Sequence, residues 1–158
     1  MENIDVLQAK LQALSDDRMS RFINEAVKQI EKTVIELITK GQVYKGKLAD
    51  GSKIRPLDRS YPVYHPMYEA YKSQLARYQG HVDLSLSGEF LKSWVIIYDA
   101  DGFTIKAGTV IRDGKDLAEH LRGRYGDFEE ISNENMEALR GMIKQALIRQ
   151  LRDYIGIN

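Results

Sequence analysis

VDLSLSGEFLKSW, Val82 to Trp94, decides how the second half of the chain is read. Val82, Leu84 and Leu86 alternate with Asp83, Ser85 and Ser87, the period of a half-buried strand. The alternation stops at Gly88. Phe90, Leu91 and Trp94 then follow at a different spacing. The expectation is a strand over 82–87 and a turn at Gly88, where a side chain would clash. The chain then re-enters a sheet, with Phe90, Leu91 and Trp94 packed on the terminal helices. Two more strands follow, over 93–98 and 103–107, joined as a tight hairpin by Asp99-Ala100-Asp101-Gly102.

Outward from this stretch, the chain is helical at both ends. Residues 4–14 are weakly helical, with Leu7, Leu11 and Leu14 on one stripe. Ser15, Asp16 and Asp17 are N-cap candidates for a longer helix. That helix carries Phe22, Ile23, Val27, Ile30, Val34, Leu37 and Ile38 at three- and four-residue steps, with Gly41 placed to cap its end. Leu117, Ala118 and Leu121 mark a short helix that stops at Gly123 or Gly126. A last helix starts near Ser132, with Glu134 in its first turn, where the helix dipole favours an acid. Met136, Leu139, Ile143, Leu147, Leu151 and Tyr154 or Ile155 form its buried stripe.

The middle differs in character. GQVYKGKLADGSKIRPL, from Gly41, reads as a hairpin turning at Asp50-Gly51. DRSYPVYHP, residues 58–66, reads as extended because its prolines restrict themselves and their predecessors. Pro66 opens a helix that places Tyr68, Tyr71, Leu75 and Tyr78 on one face and ends at Gly80. The element order is that of an α+β protein. Residues 1–158 form one domain, a small antiparallel sheet packed against long N- and C-terminal helices. Residues 41–66 are expected to protrude as a hairpin or arm.

Bulk properties exclude some functions. The chain has 158 residues, with 23 lysines plus arginines against 23 aspartates plus glutamates, so its net charge is about zero. A free nucleic-acid binder carries a basic excess, because phosphate neutralisation supplies most of its affinity. The absence of cysteine excludes disulfides, thiolate chemistry and cysteine-ligated zinc, and fits a reducing compartment. MENIDVLQAK is acidic and polar where a signal peptide is basic and then apolar. No apolar run approaches the roughly 20 residues that span a bilayer. The expected place of synthesis and residence is a cytoplasm.

Motifs that resemble chemistry fail on inspection. Gly41 to Leu48, GQVYKGKL, has the G-x-x-x-x-G-K spacing of a phosphate loop. Leu48 stands where serine or threonine would hold magnesium, and the segment leads to a hairpin, not a helix. Asp99-Ala100-Asp101-Gly102 opens like a calcium loop but lacks its sixth-position glycine and twelfth-position glutamate. His65, His81 and His120 lie in separate segments without metal-ligand spacing, and a site from His81, Asp83 and His120 has no motif behind it. Glu129 and Glu130 read as solvated turn residues. No nucleophile, base and orienter occur together, so the expectation is no catalysis, no cofactor and no metal.

Six of the nine tyrosines, Tyr44, Tyr61, Tyr64, Tyr68, Tyr71 and Tyr78, lie between the long helix and the strands. Tyr68, Tyr71 and Tyr78 read as packing of a helix on a sheet. For Tyr44, Tyr61 and Tyr64, packing and protein–protein contact stay equally open, since tyrosine offers large area and a polar tip.

DLSLSGEFLKSW is followed by a hairpin, by DGFTIKAG, by KDLAEHLRGRYGDFEEIS and by an amphipathic helix. This order resembles the virion morphogenesis proteins of tailed bacteriophages, the small head–tail joining and tail-completion proteins. Ser87-Gly88, Leu91 and Ser93 match that family's turn, and Asp101-Gly102-Phe103 its third strand. Leu121, Arg124, Tyr125 and Gly126 match its tyrosine-glycine signature, and Ser132, Glu134 and Asn135 its helix start. Asp50, Gly51, Ile54, Tyr61, Tyr64 and Lys72 fall in the order of an arm seen in some versions. Phe128-Glu129-Glu130-Ile131 replaces the family's usual glycine-leucine, and the arm carries an extra proline pair.

The resemblance implies a structural virion protein of the neck or tail, assembled in the cytoplasm of a bacterial host. It would be a homo-oligomer, a sixfold or twelvefold ring between portal or adaptor and tail proteins. Contact with DNA in the lumen would be incidental, and no membrane would be involved. Tyr44, Arg55, Arg59, Tyr61 and Tyr64 are the expected contact residues. Gly88, Trp94, Tyr125 and Gly126 are the expected determinants of the fold. The alternative from the residues alone is a cytoplasmic α+β adaptor using the same tyrosine-rich arm.

Overall fold

The computed structural model describes residues 16–156 apart from 59, 60, 62 and 86. The helix expected over 4–14, Ser15 and Arg59 lie outside the described residues. The fold is α+β, with five α-helices and two antiparallel sheets of two strands each among the described residues. In chain order these are α1 (Asp16–Thr39), α2 (Pro66–Gln74), α3 (Glu89–Lys92), β1 (Val95–Tyr98), β2 (Phe103–Lys106), β3 (Ile111–Arg112), β4 (Lys115–Asp116), α4 (Leu117–Tyr125) and α5 (Asn133–Ile155). No described helix is long and apolar enough to cross a membrane.

The two long helices form an antiparallel pair. At one end the rings of Phe22 and Tyr154 meet edge to face at 5.5 Å. At the other, Asn135 Nδ2 donates to the Leu37 carbonyl at 3.3 Å. Val27, Val34 and Leu139 are buried between them, as the three- and four-residue spacing predicts. Gln42 locks this end. Its Nε2 donates to the Glu130 carbonyl at 2.7 Å, and its Oε1 accepts from Ser132 N at 2.9 Å and Asn135 Nδ2 at 3.2 Å. Ser132 caps α5 by accepting from Asn135 N.

The β1–β2 ribbon lies against the helix pair. Its register pairs Val95 with Lys106 and Tyr98 with Phe103. Asp99 makes the turn, its Oδ1 accepting from the amides of Asp101 and Gly102 at 2.9 and 2.8 Å. Ile96 is buried with Val27 and Val34, while Val95 and Ile97 face outward. Asp113-Gly114 turns a second small hairpin, β3–β4. Asp113 and Gly114 both have positive φ, 51° and 75°, as a two-residue Asp-Gly turn requires.

The larger core joins the middle of the chain to the ends. Phe90 packs on Phe128 at 5.6 Å and on Trp94 at 6.4 Å, with Ile38, Val43, Ile54, Val82 and Tyr125 around them. The segment 41–66 is anchored in this core through Val43, Ile54, Pro56 and Tyr64, and its exposed tip is the Asp50–Lys53 turn. Its two arms pair through a single bridge, Lys47 to Lys53. Gly46 belongs to this anchoring. It has φ +68°, and a Cβ there would lie 2.7 Å from the Val82 carbonyl oxygen and from the His81 ring. Glu129 is not a solvated turn residue. Its Oε1 accepts from Ala107 N at 2.8 Å and its Oε2 from Arg122 Nε at 2.8 Å, tying the end of β2 to α4.

Helix α2 stops at Gln74, before Tyr78 and six residues short of the expected end at Gly80. Arg77 N donates to the Lys72 carbonyl and Ala76 N to that of Ser73, both at 2.9 Å, which closes the helix in a Schellman turn. Ala76 occupies the left-handed position, φ 53°, where glycine is usual. Its side chain is exposed, so glycine gives up little buried surface there. Ala76→Gly is therefore expected to raise stability by about 0.5–1 kcal/mol, read as a higher urea midpoint at unchanged slope.

Candidate functional site

The described residues of 82–87 do not form a strand. Val82, Asp83 and Leu84 are buried in succession, which a strand with alternate faces cannot do. Leu84 has φ +47°, a left-handed conformation costly for a branched side chain. Asp83 explains the turn. Its Oδ1 accepts from Ser85 N at 3.0 Å, an Asx-type turn that closes over Leu84.

The charge on Asp83 is met by Lys72 of α2. Both side chains are inaccessible to solvent, at 0% and 1% exposure, and their ammonium and carboxylate are in direct contact. Lys72 Nζ also donates to the Ser85 carbonyl at 2.6 Å and lies 4.9 Å from the centre of the Tyr64 ring. Tyr64 completes the cluster. Its hydroxyl donates to Asp83 Oδ1 at 2.9 Å and accepts from Asp83 N at 3.0 Å. Lysine and aspartate buried without such partners would be strongly destabilising. Here the ammonium binds both residues that flank Leu84.

In front of this cluster a cleft of about 290 Å3 opens between α2, the 84–90 segment and α4. Tyr64, Tyr68, Phe90 and Tyr125 contribute its aromatic walls, and His65, Arg112, His120 and Arg124 its basic groups. The helix period sets the α4 side, since Leu117, His120, Leu121 and Arg124 share one face. His65 caps α2. Its Nδ1 accepts from Met67 N at 3.2 Å, which leaves Nε2 to carry the proton as a donor. Burial raises the hydroxyl pKa of Tyr68 and of Tyr125. The Arg112 charge draws the first back down, and the charge and hydrogen bond of Arg124 draw down the second.

Four of the five expected contact residues, Tyr44, Arg55, Tyr61 and Tyr64, lie among the described residues. Tyr64 is in the core, so the contact reading is corrected there: its ring is 4% exposed and its hydroxyl is committed to Asp83. Tyr44 and Arg55 are exposed. Tyr61 is half-buried, with its ring on His65 at 4.8 Å. Tyr71, expected to pack, is 49% exposed, whereas Tyr68 and Tyr78 do pack against the core. Gly88 has φ +83° with open space where a Cβ would stand, so its requirement is the backbone turn and not a close approach. Trp94 and Tyr125 are buried, and Gly126 ends α4 with φ +81°. His81 bonds the Tyr44 carbonyl at 2.8 Å, and His81, Asp83 and His120 do not converge. Among the described residues no group of three or more histidines and acids is placed to hold a metal.

Sequence reasoning missed both the Lys72–Asp83 pair and the basic cleft. Lys72 sits one position after Tyr71 on a helix read for its tyrosines, and Asp83 occupied the polar phase of an apparent strand. Comparison with family models, with curated proteins and with solved structures gives no match to this chain.

Removing one member of the pair strands the other. Lys72→Met is expected to cost about 3–5 kcal/mol. Combined with Asp83→Leu, the loss should fall short of the summed single losses by about 2 kcal/mol. Urea unfolding of the four proteins in this cycle measures the coupling, and strict additivity would remove the role assigned to the pair. The tyrosines carry a separate expectation. Burial, aided by the Glu31 carboxylate, holds the Tyr98 hydroxyl up to a pKa of about 12. An unfolded tyrosine ionises near pH 10. Above that pH the unfolded state binds fewer protons than the native state, so this contribution is complete below about pH 10 and is lost as pH rises towards about 12. Phenolate absorbance alongside urea midpoints across that window tests it.

Proposed function

We propose that this chain is a structural virion protein, a head–tail connector component that joins copies of itself into a ring between portal and tail. The role is assembly and not catalysis. The motif order across residues 82–155 is one support. The observation that carries the reading is the β1–β2 ribbon. It has two strands, each with an unpaired outer edge among the described residues. Its inner face packs on the long helices, while Val95 and Ile97 on its outer face are 41% and 42% exposed. Ile111 of the next hairpin is 64% exposed. Open edges with apolar side chains are a liability in a free monomer and an asset in a subunit that is covered by its neighbour. A head-to-tail contact repeated until it closes makes a ring. Zero net charge suits such a part better than a protein that grips DNA.

Gold labelling of purified phage particles with an antibody to this chain is expected to mark the junction of capsid and tail. If both gold label and peptide mass spectra of the particles lack the chain, the virion reading fails and a non-virion adaptor takes its place. Ile97→Lys is expected to change monomer stability by less than about 0.5 kcal/mol and to abolish incorporation into particles.

A further inference from the structure

We propose that the cleft between α2, the 84–90 segment and α4 is a docking site for an acidic segment of a partner protein. The segment seats a bulky apolar side chain between the aromatic walls and sets an adjacent carboxylate among Arg112, His120 and Arg124. The inference stands on the cleft alone and does not require the ring.

Charge complementarity selects the occupant. The chain as a whole has as many acids as lysines and arginines. The cleft departs from that balance: two arginines and two histidines line it, and no aspartate or glutamate does among the described residues. The nearest buried acid, Asp83, lies behind the Tyr64 hydroxyl and is engaged by Lys72. Asp58 is close enough to act on Tyr125, yet it is not in the lining. Arg112 and Arg124 are exposed and aromatic rings stand beside them, the Arg124 guanidinium 5.7 Å from the Tyr125 ring centre. A guanidinium fork beside aromatic walls suits a carboxylate carried next to an apolar group. Tyrosine with arginine is also the pairing that dominates protein contacts.

Size and geometry narrow the ligand further. About 290 Å3 is at the low end of small-ligand pockets and suits one large side chain with its acidic neighbour. The first turn of α4 offers no free phosphate cradle, because the Asp116 carboxylate already accepts from Ala118 N at 2.9 Å. His65, with Nδ1 occupied, has only its Nε2 left for a ligand.

The test uses the full chain and two end-blocked dipeptides, acetyl-Phe-Glu-amide and acetyl-Phe-Gln-amide, followed by two-dimensional NMR. The glutamate peptide is expected to shift the His120, Phe90 and Tyr125 signals with a millimolar Kd, and the glutamine peptide to bind about tenfold more weakly. Arg112→Gln and Arg124→Gln, each at an exposed position, should each weaken the glutamate peptide several-fold while leaving the thermal midpoint nearly unchanged. Equal binding of the two peptides overturns the proposal, as does the absence of shifts at the cleft up to about 20 mM peptide. Phenylacetate binding there more tightly than the glutamate peptide would also overturn it, by assigning the cleft to a free small carboxylate.

Discussion

The contact between the Lys72 ammonium and the Asp83 carboxylate constrains the rest of the structure. The two residues come from segments that share no secondary structure, a helix and an irregular loop. Each is costly to bury alone. Together, with the Tyr64 hydroxyl and the Ser85 carbonyl, they satisfy one another and define a single position for the loop. That position forces Leu84 into the left-handed region and carries its side chain into the core. The strain is of order 1–2 kcal/mol, smaller than the cost of stranding either charge, so the ion pair prevails.

The consequences spread in both directions along the chain. Upstream, Tyr64 is drawn inward, just ahead of α2. Leu57 N, donating to the Arg124 carbonyl at 2.9 Å, ties the end of the 41–57 turn to α4. Downstream, the loop delivers Gly88 and the single turn of α3, so that Phe90 meets Phe128 and Trp94. The cleft is the outer side of the same arrangement. Its Tyr64 wall is fixed by the buried pair, and its α4 wall by the Arg124 anchor.

Much of the fold was legible in the sequence. The stripes of α1 and α5, the Ser132 cap, Gly126 and the Asp99–Gly102 turn follow from local rules that a single segment obeys alone. The errors fall where a distant partner overrides local pattern. VDLSLS has strand alternation, but Asp83 is in the core because Lys72, in another segment, neutralises it. Tyr71 is misplaced for the same reason: α2 turns the side with Tyr68 and Lys72 inward, where a stripe read for apolar residues had put Tyr71 as well. Lysine on a helix is read as solvent-facing by default, and nothing local marks the exception. The Asp113-Gly114 hairpin did have a local signal, but its strands are two residues each and too short to show alternation.

The candidate surfaces were less legible still, because they are made of residues left over after packing. The outer face of β1–β2 is written in the sequence as part of an apolar run, Val95-Ile96-Ile97, whose middle member faces the core. Only the side on which the helices lie decides that Val95 and Ile97 are bare. The cleft gathers His65, Arg112, His120 and Arg124 from three separate segments, and no spacing rule links them. In the proposed reading, these two surfaces divide the tasks that one tyrosine arm was expected to perform. A ribbon edge suits repetition of one contact between identical chains, since backbone pairing is indifferent to most side chains. A small cleft with a charge preference suits a single, different partner. In the proposed reading, closing a ring and recognising one neighbour call for these two kinds of surface, and the buried pair fixes the Tyr64 wall of the second.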